Sequence, residues 1–316
     1  MNLVTIEEIR AAAGRIGAHA LRTPLLPQPW ATGSPLWLKA ESLQQIGAFK
    51  IRGAFNAIAS LDEPARTRGV VAYSSGNHAQ AVAFAAKQFG IPAVIVVPDV
   101  TPRMKVEATA AHGAEVVEVP MAERESRAYE IAGERGLTLV PPFDHRDVIA
   151  GQGTIGLEIA EDLPEVEVVL IPVSGGGLAS GISAAVKALK PSVRVFLAEP
   201  ELAADTAEGL RTGARADWAP DRRARTIADG LRSQPSELTF AHLRAHVDGI
   251  VTVSEDEIRE AVRTIAHRSR LIAEPSGAVS TAAYLFHPDE LPQGKTVAVL
   301  SGGNVDPRQL ADLLAL

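Results

Sequence analysis

Val70-Val71-Ala72-Tyr73-Ser74-Ser75-Gly76-Asn77-His78 runs from an apolar, β-branched stretch straight into a small polar loop. Val70–Tyr73 reads as a buried strand, and residues 79–89 as an alanine-rich helix closed by Gly90. Residues 93–97 form the next strand. Residues 102–112 form a helix with Pro102 near its start and Gly113 after its end, and Glu115–Val119 is a further strand. This alternation predicts parallel strands with helices on their faces. The second half repeats the alternation, with strands at 166–173 and 193–198, a helix at 178–189, and a last strand at Thr296–Leu300. A helix over 255–267 is opened by Ser254, with Glu257 completing a capping box. The chain is therefore expected to be α/β in two lobes, a smaller one over 60–147 and a larger one over 1–59 plus 148–316. The cleft between them is the natural ligand site.

Composition narrows the function. The 316 residues exceed one ordinary domain, and 46% apolar residues suffice for two cores. A net charge of −7 argues against nucleic acid as a partner, though not against a local anion site. The absence of cysteine excludes disulfides, thiolate catalysis and zinc–thiolate centres. Residues 1–20 read as an amphipathic helix carrying Glu7, Glu8 and Arg10, without the apolar core of a signal peptide. No apolar run is long enough to span a bilayer, so a cytoplasmic protein is expected.

Four segments carry chemistry. Gly47-Ala48-Phe49-Lys50-Ile51-Arg52-Gly53 sets a lysine in an apolar turn. Desolvation there favours the neutral amine, the form that condenses with a carbonyl. Ser74-Ser75-Gly76-Asn77-His78 opens a helix, whose free N–H groups suit a carboxylate; alone it reads equally as an ordinary serine N-cap. Ser174-Gly175-Gly176-Gly177-Leu178 lies between strand and helix, where glycines let backbone N–H groups close on a phosphate. It lacks the G-x-G-x-x-G spacing of a dinucleotide loop. Ser301-Gly302-Gly303-Asn304 follows the last strand. In a fifth segment, Glu199 to Asp205, the carboxylates of Glu199 and Asp205 with the Ala203 carbonyl form a set suited to Mg²⁺ or Ca²⁺, or else the segment is simply a solvated acidic loop. Gly151-Gln152-Gly153-Thr154 is expected to open the helix that follows it.

Taken in this order over nearly the whole chain, the segments resemble the serine/threonine dehydratase and serine racemase family of fold-type II pyridoxal phosphate enzymes. The resemblance implies the two-lobed fold of the tryptophan synthase β type and a homodimer. It implies that Lys50, beside Phe49, holds pyridoxal phosphate and acts as the general base. Ser74, Ser75, Gly76, Asn77 and His78 would bind the substrate carboxylate, with Asn77 also meeting the phenolic oxygen of the cofactor. Ser174, Gly175, Gly176, Gly177 and Leu178 would hold the phosphate, and Ser301 would face the pyridine nitrogen. Gly230 and Glu274 would lie near the ring, and Glu199, Ala203 and Asp205 would bind the cation. Ala48 and Ser174 depart from the usual serine and glycine; the Ser174 hydroxyl is expected to donate to the phosphate. The chain runs 12 residues past Asn304, so no C-terminal regulatory domain is expected.

The implied reaction is β-elimination from L-threonine or L-serine to a 2-oxo acid and ammonia. One alternative is 3-hydroxyaspartate dehydration, suggested by Ala48 and the run Pro141-Pro142-Phe143-Asp144-His145, with His145 or an arginine on the extra carboxylate; Arg127 is a candidate for a substrate carboxylate. Another is serine racemisation, with Ser75 as the acid opposite Lys50. Phe143 favours a dehydratase. A non-catalytic, cofactor-binding sensor is the reading from a different class.

Overall fold

The structure, a computed structural model, describes residues 2–101 and 103–315. Pro102, expected to begin a helix, lies outside the described residues, as does Met1. Among the described residues there are ten strands: β1 (Leu25–Pro27), β2 (Leu36–Ala40), β3 (Val70–Tyr73), β4 (Ala93–Pro98), β5 (Glu115–Val119), β6 (Thr138–Leu139), β7 (Val168–Pro172), β8 (Arg194–Pro200), β9 (Gly249–Val253) and β10 (Thr296–Leu300). They form two sheets, ordered β5-β4-β3-β6 and β1-β2-β10-β7-β8-β9. Every pairing is parallel except β1 with β2. The central strands β4, β7 and β10 are buried along their whole length, as parallel strands covered on both faces must be. Edge strand β5 instead exposes Glu115 and Glu118.

Helices follow the sequence pattern where caps are strong. Asn77–Phe89 ends at Gly90 in a left-handed conformation, φ 65°. Ser254 and Glu257 form the expected capping box on Glu255–Thr264. That helix ends earlier than expected. It passes into a π-turn, Ile265–Ser269, and stops at Arg270 with φ 62°.

Gly151–Thr154 does not open a helix. It lies inside the 17-residue helix Arg146–Asp162, because these glycines let other backbone come close. A Cβ on Gly151 would stand 2.5 Å from the Arg52 carbonyl oxygen, and one on Gly153 would stand 2.8 Å from Ile9. The facing helix Gly177–Leu189 answers with Gly181, whose added Cβ would meet the Ile149 carbonyl oxygen at 2.3 Å.

The helix Lys50–Ala59 is held on two sides. Ile51, Ala54, Phe55 and Ile58 share one apolar cluster with Val70 and Ile95 of the four-stranded sheet. Its Arg52 enters a buried ionic group of two cations and two carboxylates. Arg52 meets Glu41 at 2.8 Å and Glu158 at 2.6 Å, and Lys39 meets Glu158 at 2.6 Å. Such a group holds its members in place chiefly because any partner left alone would be a buried unpaired charge. Among the described residues, no helix is long and apolar enough to cross a membrane.

Candidate active site

The C-terminal ends of β3, β7 and β10 open onto one cavity of about 550 Å³. Parallel sheets place ligands there, since helix N-termini converge on that edge. The cavity is lined by Phe49, Lys50, Ser74, Ser75, Gly76, Asn77, His78, Ser174, Gly175, Gly176, Gly177, Leu178, Gly230, Glu274 and Ser301. A smaller cavity of about 220 Å³, around Trp30 and Tyr284, has no charged side chain in its wall.

Backbone pairing draws the lysine turn to the last motif. Phe49 N donates to the Ser301 carbonyl at 3.1 Å, and Gly303 N donates to the Gly47 carbonyl at 2.9 Å. Lys50 thus begins its helix at the cavity wall, and Nζ donates to the Pro142 carbonyl oxygen at 2.6 Å. Burial alone pushes the amine down to about 8, with no carboxylate to offset it. His78 donates from Nε2 to the Val140 carbonyl at 2.9 Å, and its Nδ1 is buried without a partner. Burial and the Lys50 charge push its imidazole down to about 3, so it is neutral.

Of the helices that begin at this cavity without a side-chain cap, two start at glycines. The N-cap of Asn77–Phe89 is Gly76, and that of Gly177–Leu189 is Gly176, at φ 85°. The serines of the first loop are therefore not N-caps. Away from the cavity Thr5, Ser254 and Asp306 cap their helices with side chains, as Ser236 does in its wall. Two sets of free backbone donors thus face one chamber, which suits a phosphate and a carboxylate. Ser174 departs from expectation. Its hydroxyl donates to the Ser233 carbonyl and accepts from Ser233 N, both at 2.8 Å. Its one proton is spent there, so only its backbone is left for an anion.

Asn77 donates to Glu274 Oε1 and accepts from Asn304 Nδ2, each at 2.7 Å. Burial, with Asp229 adding, raises the Glu274 carboxyl to about 8. Gly230 N donates to Ser276 Oγ at 2.9 Å. Across the cleft Lys105 pairs with Asp229 at 2.7 Å.

Two expectations about substrate charge are corrected. Arg127 does not line the cavity and pairs with Glu130 and Glu134 on its own helix. His145 caps the helix Arg146–Asp162 through Nδ1 and does not line the cavity. Arg124, one turn before Arg127, does line it. The other cavity cations are engaged. Arg215 pairs with Glu237, while Arg223 and Arg232 donate to the carbonyls of Trp218 and Thr226. Among the described residues the Arg124 side chain has no such partner.

Glu199, Ala203 and Asp205 lie outside the cavity wall. Glu199 accepts from the N–H groups of Thr206 and Ala207, at 3.1 and 2.9 Å. Burial, with Asp205 adding, holds Glu199 well above the usual carboxylate range, and burial raises Asp205 to about 7. Asp205 Oδ2 is buried without a partner. Two crowded carboxylates with an orphaned oxygen fit a cation. Among the described residues, no group of three or more His, Cys, Asp or Glu comes together as a metal site. His242 and His246 stand four apart on the helix Glu237–His246. His242 accepts from Val4 N at 2.8 Å and donates to the Leu238 carbonyl at 2.7 Å, so it is not free to ligate.

A half-buried lysine without a counter-charge, two anion cradles and a hydroxyl around one chamber are what an enzyme needs to hold a phosphorylated carbonyl cofactor. Residues 16–302 match the family described as pyridoxal-phosphate dependent enzyme, and the chain belongs to that family. It is 38% identical to the L-threo-3-hydroxyaspartate ammonia-lyase of Saccharomyces cerevisiae, over 100% of this chain and 98% of the relative. It is 44% identical to the L-threonine ammonia-lyase of Thermotoga maritima, over 96% of this chain and 76% of the relative. Its fold matches the structure of maize serine racemase with a TM-score of 0.94 at 38% identity, covering 98% and 97% of the two chains.

Proposed function

We propose that the protein is an ammonia-lyase that eliminates the β-hydroxyl of small 3-hydroxy amino acids. One observation carries this reading: Lys50, its amine lowered by burial without a counter-charge, shares a chamber with two uncapped helix N-termini. The Gly175–Gly177 backbone would hold the phosphate of pyridoxal phosphate, and the Ser74–His78 loop the substrate carboxylate. Asn77 and Ser301 would flank the cofactor ring, with Gly230 and Glu274 beside it. Pyridoxal phosphate supplies the electron sink for the pair left at the α-carbon. Lys50 Nζ would take the α-proton. The β-hydroxyl then leaves as water. Hydrolysis of the enamine returns one water and yields the 2-oxo acid and ammonia: 2-oxobutanoate from threonine, pyruvate from serine.

A second substrate reading is favoured by Arg124. A guanidinium in the cavity wall that has no internal partner among the described residues suits a second carboxylate, as in 3-hydroxyaspartate. We further propose a homodimer, lobes over 60–147 and over the remainder, and a Mg²⁺ or Ca²⁺ ion held by Glu199, Asp205 and the Ala203 carbonyl. The test is 2-oxo acid and ammonia release over L-threonine, L-serine, D-serine and both 3-hydroxyaspartate diastereomers. Turnover of at least one L-substrate supports the reading. Cofactor binding without any product would make the protein a sensor instead.

A further inference from the structure

The two ends of a carboxamide have nearly the same shape, so its orientation is set by its partners. A backbone carbonyl is an acceptor only. Asn304 Nδ2 donates to the Ile46 carbonyl at 2.7 Å, so this end of the Asn304 amide must be the NH₂ group. Its second hydrogen goes to Asn77 Oδ1, also at 2.7 Å. The far end of the Asn77 amide is then NH₂ as well, and it donates to Glu274 Oε1 at 2.7 Å. One unambiguous acceptor thus gives direction to a chain of three hydrogen bonds.

Resting on the reading above, in which Asn77 meets the phenolic oxygen of the cofactor, we infer that Asn304 is a positioning residue. Its amide, referenced to the Ile46 carbonyl, decides which end of Asn77 faces the cofactor. Glu274 cannot decide this. Its carboxyl, held up to about 8, offers either an oxygen or a hydroxyl to Asn77. Asn304 itself does not line the cavity, and both its amide hydrogens are spent, so it acts only through Asn77. Asn77 keeps one N–H for a ligand. A flipped Asn77 would set its NH₂ against that of Asn304, donor against donor.

The lysine turn is shaped around this arrangement. Gly47 takes a left-handed φ of 72°, and a Cβ there would stand 2.3 Å from Asn304 Oδ1. Glycine at this position therefore serves both the turn that delivers Lys50 and the seat of Asn304.

The test uses full-length protein reconstituted with pyridoxal phosphate. Cofactor affinity and the pH midpoint of the visible band are measured for wild type, Asn304→Ala, Asn304→Asp, Asn77→Ala and the Asn77/Asn304 double alanine variant. Asn304→Asp keeps the size but cannot donate, and it is read wherever Asn304→Ala does not fold; urea unfolding of each apoprotein reports folding separately. Both Asn304 variants should weaken cofactor binding by roughly 10-fold and move the midpoint in the same direction as Asn77→Ala. The double variant should lie within about 2-fold of Asn77→Ala, because coupled residues do not add. Wild-type affinity and midpoint in both Asn304 variants, or full additivity with Asn77→Ala, would overturn the inference. A wild-type protein that binds no cofactor through Lys50 would instead overturn the functional reading beneath it.

Discussion

Lys50 Nζ lies 2.6 Å from the carbonyl oxygen of Pro142, and this neutral acceptor is what the fold offers it in place of a carboxylate. The amine is lowered to about 8 from an ordinary value of 10.5. In the apoprotein the unfolded chain then binds the extra proton between those values. Stability should rise with pH from about 8 to 10.5. Lys50→Met should abolish that rise and stabilise the apoprotein at pH 7 by about 1–3 kcal/mol. Urea midpoints against pH measure both effects, and a wild-type profile flat above pH 8 would contradict the burial argument.

The acidic pair carries the opposite sign. Glu199 and Asp205 are raised above their ordinary values, so the stability of their protonated forms is lost as pH rises, for Asp205 through about 7. A bound divalent cation should reverse the loss. Mg²⁺ or Ca²⁺ should raise the melting temperature more at pH 8 than at pH 6, and EDTA should lower it. Asp205→Asn should remove the metal response. Indifference of the wild type to both ions and chelator would leave the loop merely acidic.

Arg124 separates the two substrate readings. A charge-assisted hydrogen bond is worth about 1.5–3 kcal/mol, which corresponds to a loss of roughly 10- to 100-fold. Arg124→Gln should lower kcat/KM by that factor for 3-hydroxyaspartate and by less than about 3-fold for threonine or serine. Equal losses on all substrates would assign Arg124 a general structural role.

Gly181→Ala should destabilise the protein by about 1–3 kcal/mol, the usual cost of overpacking a tight contact. The added Cβ would press on the backbone of the facing helix at Ile149 and Gly153. Urea unfolding checks this; an unchanged midpoint would mean that the two helices separate freely.

The Lys50 turn and its companion loops are legible in the sequence because their chemistry is local. So is the strand Val70–Tyr73, whose apolar run ends at the loop it serves. Strand β2 is not legible, since Lys39 sits inside it and the carboxylate that pairs with it in the core, Glu158, is 119 residues away. Gly151 and Gly153 read as the start of a helix and not its interior, because glycine disfavours helix interiors; the contacts that select them come from residues distant in sequence, Arg52 and Ile9. Arg124 and Arg127 look alike in a charged row. The start of their helix turns one toward the cavity and the other toward Glu130 and Glu134. The Ser174 hydroxyl reads as a phosphate donor because Ser233, which takes its proton, is 59 residues away.

The most direct test compares wild type with Lys50→Ala, each supplied with pyridoxal phosphate, following 2-oxo acid and ammonia from L-threonine, L-serine and L-threo-3-hydroxyaspartate. The wild type should release equimolar 2-oxo acid and ammonia from at least one of these. The variant should lose at least ~10³-fold in turnover, together with the visible band of the lysine-bound cofactor. Near wild-type turnover by Lys50→Ala would contradict the role given to this lysine.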